Sequence, residues 1–392
     1  MPLLLYIILS EKGREKMKKN KIIFHVDMNA FFCSCEEIRK PYLKNKPFAI
    51  GNPYYNKGVI STSNYIARKF NVFSAQSQIE ALKKCPNLII VPHDMKYYQE
   101  MSYKFMNFLS QYTNKILQGS IDEAYLDMTQ YSNFLDKAKE IQEKLLKEIK
   151  LPCSIGISYT IFLAKIASDI KKPLGITFVN ENNLNKIYDL DIKNIFGIGK
   201  KTYPILYKYN IKKVIDLMNS EELIIKNKLL SKENYDEIIK ELKGESNDII
   251  DPEKYKNPKS IGVSQTFNTN LFLEEDLKKE LRNISLELFE RLEIKTGKTL
   301  TITIKYSNFV QKTKSKTINK NFDNLNIIRE YSNILFDELW NGNEVRLLGL
   351  SISNFIDKSE KNLFNIDNKL DDAIINLQKK YGNKIIKKGI KN

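Results

Sequence analysis

Histidine is almost absent from this chain: His25 and His93 are the only two in 392 residues. That leaves little room for a Ser-His-Asp or Cys-His nucleophile. The cysteines, Cys33, Cys35, Cys85 and Cys153, contain no C-x-x-C pair, so a zinc site is not expected and free thiols in a reducing compartment are. Acids are in deficit. Lys and Arg number 63 against 47 Asp and Glu, a net charge of +16, which points to a polyanionic partner, nucleic acid or anionic membrane. Long apolar runs are missing as well. Residues 2–9 are apolar, but a membrane span needs ~20 residues. The basic residues Lys12, Arg14 and Lys16 follow that run, whereas a signal peptide would place them before it. Met17 stands just ahead of the first strand, so residues 1–16 read as an upstream start-site extension. A cytoplasmic protein without a membrane partner is expected.

What the chain does contain is an odd placement of carboxylates. Asp27 ends an apolar run, His25-Val26-Asp27-Met28-Asn29, and nearly a hundred residues later comes Ser120-Ile121-Asp122-Glu123-Ala124-Tyr125-Leu126-Asp127. Apolar periodicity predicts a helix over 97–112 and another over 133–150, with strands at 22–28, 116–118, 124–128 and 153–159. Strand, helix, hairpin, helix, strand is a split βαβ pattern of ferredoxin-like type. In that layout the end of the first strand approaches the tip of the central hairpin, which would bring Asp27 to Asp122 and Glu123. Three carboxylates in a basic protein suit divalent-metal chemistry on a polyanion. Asp127 is left out, since it lies beyond the turn.

Four stretches in order carry a resemblance. His25-Val26-Asp27-Met28-Asn29-Ala30-Phe31-Phe32 with Glu36, the run from Ser61 to Phe70, the run from Ser120 to Asp127, and Phe162 to Asp169 with Lys172-Pro173 and Gly175 are similar to the Y-family DNA polymerases, the DinB/UmuC group. The resemblance implies an α+β multidomain fold with a ferredoxin-like palm at 21–30 and 95–183 and small fingers at 31–94. A helical helix-hairpin-helix thumb would follow at 184–250, a linker at 251–258, an α+β little finger at 259–357 and a tail at 358–392, after an extension at 1–20. It implies two Mg²⁺ ions held by Asp27, the Met28 carbonyl, Asp122 and Glu123, with Glu123 nearest the primer 3′-hydroxyl. Phe32 matches the steric gate against a 2′-hydroxyl. Phe31, Tyr65, Arg68 and Lys172 would hold the incoming dNTP, and Val59 and Ser61 would roof the nascent base pair. Asn29 stands where many relatives have a second acid, and little loss is expected from it. Residues 373–389 look more like the UmuC-type branch than the simplest DinB enzymes.

For the DNA, Phe196-Gly197-Ile198-Gly199-Lys200-Lys201-Thr202 reads as a helix-hairpin-helix turn in which Gly197, Gly199 and Lys200 meet a phosphate. Lys312, Lys314 and Lys316 alternate along a strand and would share one face, toward duplex phosphates. Leu363 and Phe364 weakly resemble a sliding-clamp peptide. The expectation is a monomeric, template-directed, low-fidelity translesion DNA polymerase without proofreading, acting on primer-template DNA and dNTPs. A non-catalytic DNA-binding accessory with a decayed polymerase core is the main alternative, and a nucleotide cyclase on a similar palm is the other.

Overall fold

The computed structural model describes residues 21–53, 58–293 and 295–355. They fall into two units that divide between Asn257 and Pro258.

The first unit is built on a five-stranded sheet. In chain order its opening elements are β1 (Ile23–Met28), α1 (Phe31–Arg39), β2 (Phe48–Ile50), β3 (Thr62–Ser63), α2 (Tyr65–Arg68), α3 (Gln78–Lys84), β4 (Ile89–Val91) and α4 (Met95–Leu109). Next come β5 (Ile116–Gln118), β6 (Glu123–Asp127), α5 (Phe134–Lys144), β7 (Cys153–Ser158), α6 (Ile161–Ile170) and β8 (Ile176–Phe178). The strand order β5-β6-β1-β7-β8 contains the expected ferredoxin-like arrangement, while β3-β2-β4 form a separate small sheet inserted before α4. Helix α4 starts at Met95, earlier than its apolar period suggests, because the Asp94 side chain accepts from the Tyr97 N–H at 3.1 Å and caps it. The expected helix over 133–150 is regular only to Lys144 and ends in a π-helical turn, Leu145–Ile149.

Strand alternation sorts the central sheet into two faces. Phe24, Val26 and Met28 join Ala124, Leu126, Cys153, Ile155 and Ile157 in the core beneath α4 and α5. Ile23, His25 and Asp27 therefore point to the opposite face, where α6 lies. Gly156 makes that close packing possible: a Cβ there would stand 2.0 Å from the Ala164 carbonyl and 2.3 Å from the Ser168 nitrogen, both on α6.

Short helices complete the unit: α7 (Asn185–Tyr188), α8 (Tyr203–Lys208), α9 (Val214–Met218), α10 (Glu221–Lys226) and α11 (Lys232–Leu242), sharing a core with one side of α6.

The second unit is a four-stranded antiparallel sheet under two helices. Its elements are β9 (Ser260–Leu271), α12 (Glu274–Leu292), β10 (Gly297–Tyr306), β11 (Gln311–Thr317), α13 (Leu325–Leu339) and β12 (Val345–Phe355), with strand order β11-β10-β12-β9. The sequence reading missed β9. Ile261, Val263, Phe267 and Leu271 do fall on one alternating face, but Gln265 and Thr269 break the apolar set, only Val263 and Phe267 are buried, and a register shift interrupts the pairing with β12. Both long helices pack on the face that carries Leu300, Ile302, Ile304, Leu348, Leu350 and Ile352.

Candidate active site

Asp27 and Glu123 are directly opposed across the β1–β6 ladder. The hairpin reading puts both acids in the turn, but only Asp122 occupies the bend and Glu123 opens the strand. Ladder register thus brings two of the three acids to the α6 face. Asp122 is tied in by its carbonyl, which accepts from the Met28 N–H at 3.0 Å, and by the Ser120 hydroxyl, which donates to its Oδ1 at 2.5 Å. Asp127 pairs with Ile23 at the other end of β6 and contacts Lys115, which supports leaving it out of the cluster.

A cleft of about 280 Å³ opens here. It is lined by Asp27, Met28, Phe31, Phe32, Ser61, Tyr65, Arg68, Asp122 and Lys172, all singled out in the sequence, together with Asn29, Ala30, Thr62 and Ser74. Val59 does not line it and is 59% exposed. Ala30 takes a left-handed conformation (φ 47°), which turns the chain sharply from β1 into α1 and sets Phe31 and Phe32 over the cleft. Phe32 stacks on Tyr98 of α4, centroids 4.4 Å apart at 15°. The Tyr98 hydroxyl in turn donates to the buried Glu36 at 2.8 Å, and Arg39 and Lys40 complete that carboxylate's partners.

Each acid facing α6 has a cationic partner. Lys172 Nζ lies 2.8 Å from Asp27 Oδ1 and 2.7 Å from Asp169. Burial raises the Asp27 carboxyl above its usual range, and Lys172 only partly opposes this. Lys165 Nζ of α6 donates to Glu123 Oε2 at 2.7 Å, and the fully buried His25 places Nε2 3.3 Å from the same oxygen. Burial works to raise Glu123, but His25 and Lys165 prevail and hold it at about 2. Sequence reasoning quoted His25 and Lys165 in motifs without giving them roles. The available signal was position: His25 is two residues from Asp27 on a strand, hence on the same face.

Asn29 acts as a clamp. Its amide donates to the Ser154 hydroxyl at 2.9 Å and its Oδ1 accepts from the Leu174 N–H at 2.8 Å, holding the segment that carries Lys172. A carboxylate could accept but could not make the first bond.

On α2, Tyr65 and Arg68 share a face, with the guanidinium carbon 4.5 Å above the Tyr65 ring. The Tyr65 hydroxyl is buried with no hydrogen-bond partner. An orphaned donor beside Arg68 and Lys172 suits an anionic ligand in the cleft. The donor atoms of His25, Asp27 and Glu123 lie within 4.8 Å of one another. His25 Nδ1 is engaged by Ser168 at 2.8 Å and Nε2 faces Glu123, so the set offers one imidazole nitrogen and two carboxylates, and the carboxylate oxygens suit a hard divalent cation.

Away from the cleft, Gly197 adopts φ 95° and a Cβ at either Gly197 or Gly199 would meet nothing within 4 Å, so the hairpin backbone is open to approach. The following helix, α8, has only six residues, with a proline in its first turn, so its dipole is slight. The lysine strand requires a correction. Lys312, Lys314 and Lys316 do share a face, but they oppose Ile304, Ile302 and Leu300, which places them on the helix-covered side. Lys314 is paired with Glu338 of α13 at 2.8 Å. The uncovered side instead carries Thr299, Thr301 and Thr303 opposite Thr317, Ser315 and Thr313. Leu363 and Phe364 lie outside the described residues, as do residues 1–20 and the tail.

Comparison with known proteins agrees with this geometry. The impB/mucB/samB family model matches residues 26–169 and the model of that family's C-terminal domain matches 258–363. DNA polymerase IV of Clostridium kluyveri is 37% identical over 94% of this chain and 98% of its own length, and further curated relatives at 35% identity carry the same name. Among solved structures, a Y-family DNA polymerase chimera of Dbh and Dpo4 superposes with a TM-score of 0.74 at 25% identity, covering 86% of this chain and 99% of that one. An insertion ternary complex of Dbh DNA polymerase gives 0.58 at 26% identity, with 86% and 99% covered. The relatives overturn the UmuC-like assignment, since their shared name places them on the DinB side, and the tail that suggested it lies outside the described residues. With Asp27, Asp122, Phe32, Tyr65, Arg68 and Lys172 lining one cleft and Glu123 paired with Asp27 behind it, the chain belongs to the impB/mucB/samB family, the Y-family DNA polymerases of DinB type, and is a DNA nucleotidyltransferase.

Proposed function

We propose that the chain is a template-directed, low-fidelity polymerase that extends a primer 3′ end with dNTPs during lesion bypass, using two Mg²⁺ ions and no proofreading. Divalent-metal dependence is common to the family, and the ion and its number are our reading. The observation that carries it is the ladder pairing of Asp27 with Glu123, with Asp122 on the adjoining bend and Tyr65, Arg68 and Lys172 around the same cleft. Bound there, divalent ions would lower the pKa of the primer hydroxyl and neutralise charge on the transferring phosphoryl group. Asp27, Asp122, Glu123 and the Met28 carbonyl would hold them. Tyr65, Arg68 and Lys172 bind triphosphate oxygens, while Phe31 and Phe32 pack under the sugar. Phe32, braced by Tyr98, leaves no room for a 2′-hydroxyl. Ser61 lies over the nascent base pair, with Val59 nearer the rim.

Primer-template DNA is gripped by the open backbone at Gly197, Gly199 and Lys200, and separately by the second unit. In the latter we assign the contact to the uncovered Ser/Thr face, while Lys312 and Lys316 point to the opposite side with Lys314, which is held on Glu338. The protein works as a cytoplasmic monomer, and Leu363 and Phe364 offer a clamp contact. Among the described residues no helix is long and apolar enough to cross a membrane.

Primer extension with Mg²⁺ tests the reading. Asp122→Ala or Glu123→Ala should lower the rate at least about 10³-fold, corresponding to roughly 4 kcal/mol of lost phosphoryl-charge stabilisation. Near-normal extension by either variant would sink the mechanism. Shortening of a labelled primer without dNTPs would refute the absence of proofreading.

A further inference from the structure

His93 is one of two histidines in the chain, and none of the motifs accounts for it. It lies two residues past β4, between Pro92 and the Asp94 that caps α4. Asp94 also accepts from Arg39 Nη1 at 2.6 Å, so the backbone on the C-terminal side of His93 is doubly held. On the N-terminal side, Val91 is paired with Ile50 of β2, and its carbonyl accepts from the Gly51 N–H at 2.9 Å. Ser61 flanks the same strand end from the β3 side, its N–H donating to the Ile50 carbonyl at 2.9 Å. Two rigid strand ends thus present the Ser61 hydroxyl and the His93 ring to each other, and Ser61 Oγ and His93 Nε2 are hydrogen-bonded. Ser61 lines the cleft and His93 does not.

We propose that His93 is a positioning residue for base selectivity: it holds the Ser61 hydroxyl in one orientation and keeps it from turning to the edges of the nascent base pair. This rests on the reading that Ser61 lies over that pair. In either ring tautomer Nε2 occupies one hydrogen-bonding position of Oγ and fixes the Ser61 rotamer. Without that partner the hydroxyl can rotate and satisfy the unpaired donors or acceptors of a mispair. A mispair gains from such a bond and a matched pair, already satisfied, does not.

Single-nucleotide insertion by the full chain decides it, with kcat/KM measured for matched and mismatched dNTPs. His93→Ala should raise the mismatched-to-matched ratio about three- to tenfold, the worth of one hydrogen bond. His93→Gln, whose amide can still partner Ser61, should return toward the parent ratio. In a Ser61→Ala background, His93→Ala should shift the ratio less than about twofold, because the hydroxyl it restrains is gone. An unchanged ratio in His93→Ala, or an equal change in both backgrounds, overturns the proposal. The reading of Ser61 is checked separately: if Ser61→Phe still passes bulky template adducts as the parent does, Ser61 is not over the base pair. If Ser61→Phe blocks bypass while His93→Ala leaves the ratio unchanged, only the role of His93 falls.

Discussion

Phe32 touches Tyr98 ring to ring, and Tyr98 is held by a carboxylate with no exposed surface, so Phe32, in the gate role we propose for it, would have no soft neighbour to yield to a 2′-hydroxyl. Phe32→Ala should therefore raise ribonucleotide use roughly 10- to 100-fold, removing an overpacking cost of about 1–3 kcal/mol. Competition between rNTP and dNTP in primer extension measures this. Glu36 itself predicts a pH dependence. Burial would raise its carboxyl, but hydrogen bonds from Arg39, Lys40 and Tyr98 outweigh burial and leave it below 4.5. A folded-state value under the unfolded one stabilises the protein above the unfolded pKa, and that stabilisation fades as pH falls through the folded value. Glu36→Gln should thus cost about 1–3 kcal/mol near pH 7, and the gap in urea midpoints should narrow below about pH 4.5. A gap that widens in acid would contradict the assignment.

At the scale of elements, alternation along a strand says which residues share a face but not which face is covered. Lys312, Lys314 and Lys316 were correctly placed together in the sequence, yet only the pairing of β11 with β10 shows that they join the side of Leu300, Ile302 and Ile304. The exposed side holds the hydroxyl pairs Thr299–Thr317 and Thr301–Ser315, each 2.8 Å apart. Were Lys314 on a phosphate, Lys314→Ala would flatten the salt dependence of primer-template binding by about 0.9 in log–log slope. We expect less than half of that, because the lysine is engaged with Glu338. Thr301→Glu, by contrast, should raise Kd at least about tenfold by setting a carboxylate against the duplex. Fluorescence anisotropy across a salt series separates the two outcomes.

Over the whole molecule, two units carry separate hydrophobic cores, one around Phe24, Val26 and Phe105, the other around Leu300, Phe336 and Leu350. Residues 258–392 made alone should fold, with a cooperative melt and protected amides in β10 and β12. Residues 21–257 should retain nucleotide binding in the cleft while KM for primer-template rises at least about tenfold, because the phosphate contacts we propose for the second unit would be lost but no acid would be. What the sequence by itself determined is a set of hard oxygen donors, Asp27, Asp122 and Glu123, and the split βαβ order that brings them together. Those follow from residue type and from periods of 2 and 3.6, which are local properties, whereas a gate at Phe32 and triphosphate contacts at Tyr65, Arg68 and Lys172 are what the family resemblance implies. The partners of each group could not be read that way. The bond of Ser61 to His93 spans 32 positions, the contact of Glu123 with Lys165 spans 42, and Asn29 reaches Leu174 across 145. No local period links such pairs. Sheet register and the packing of α6 on Gly156 decide them, and those exist only once the chain has folded.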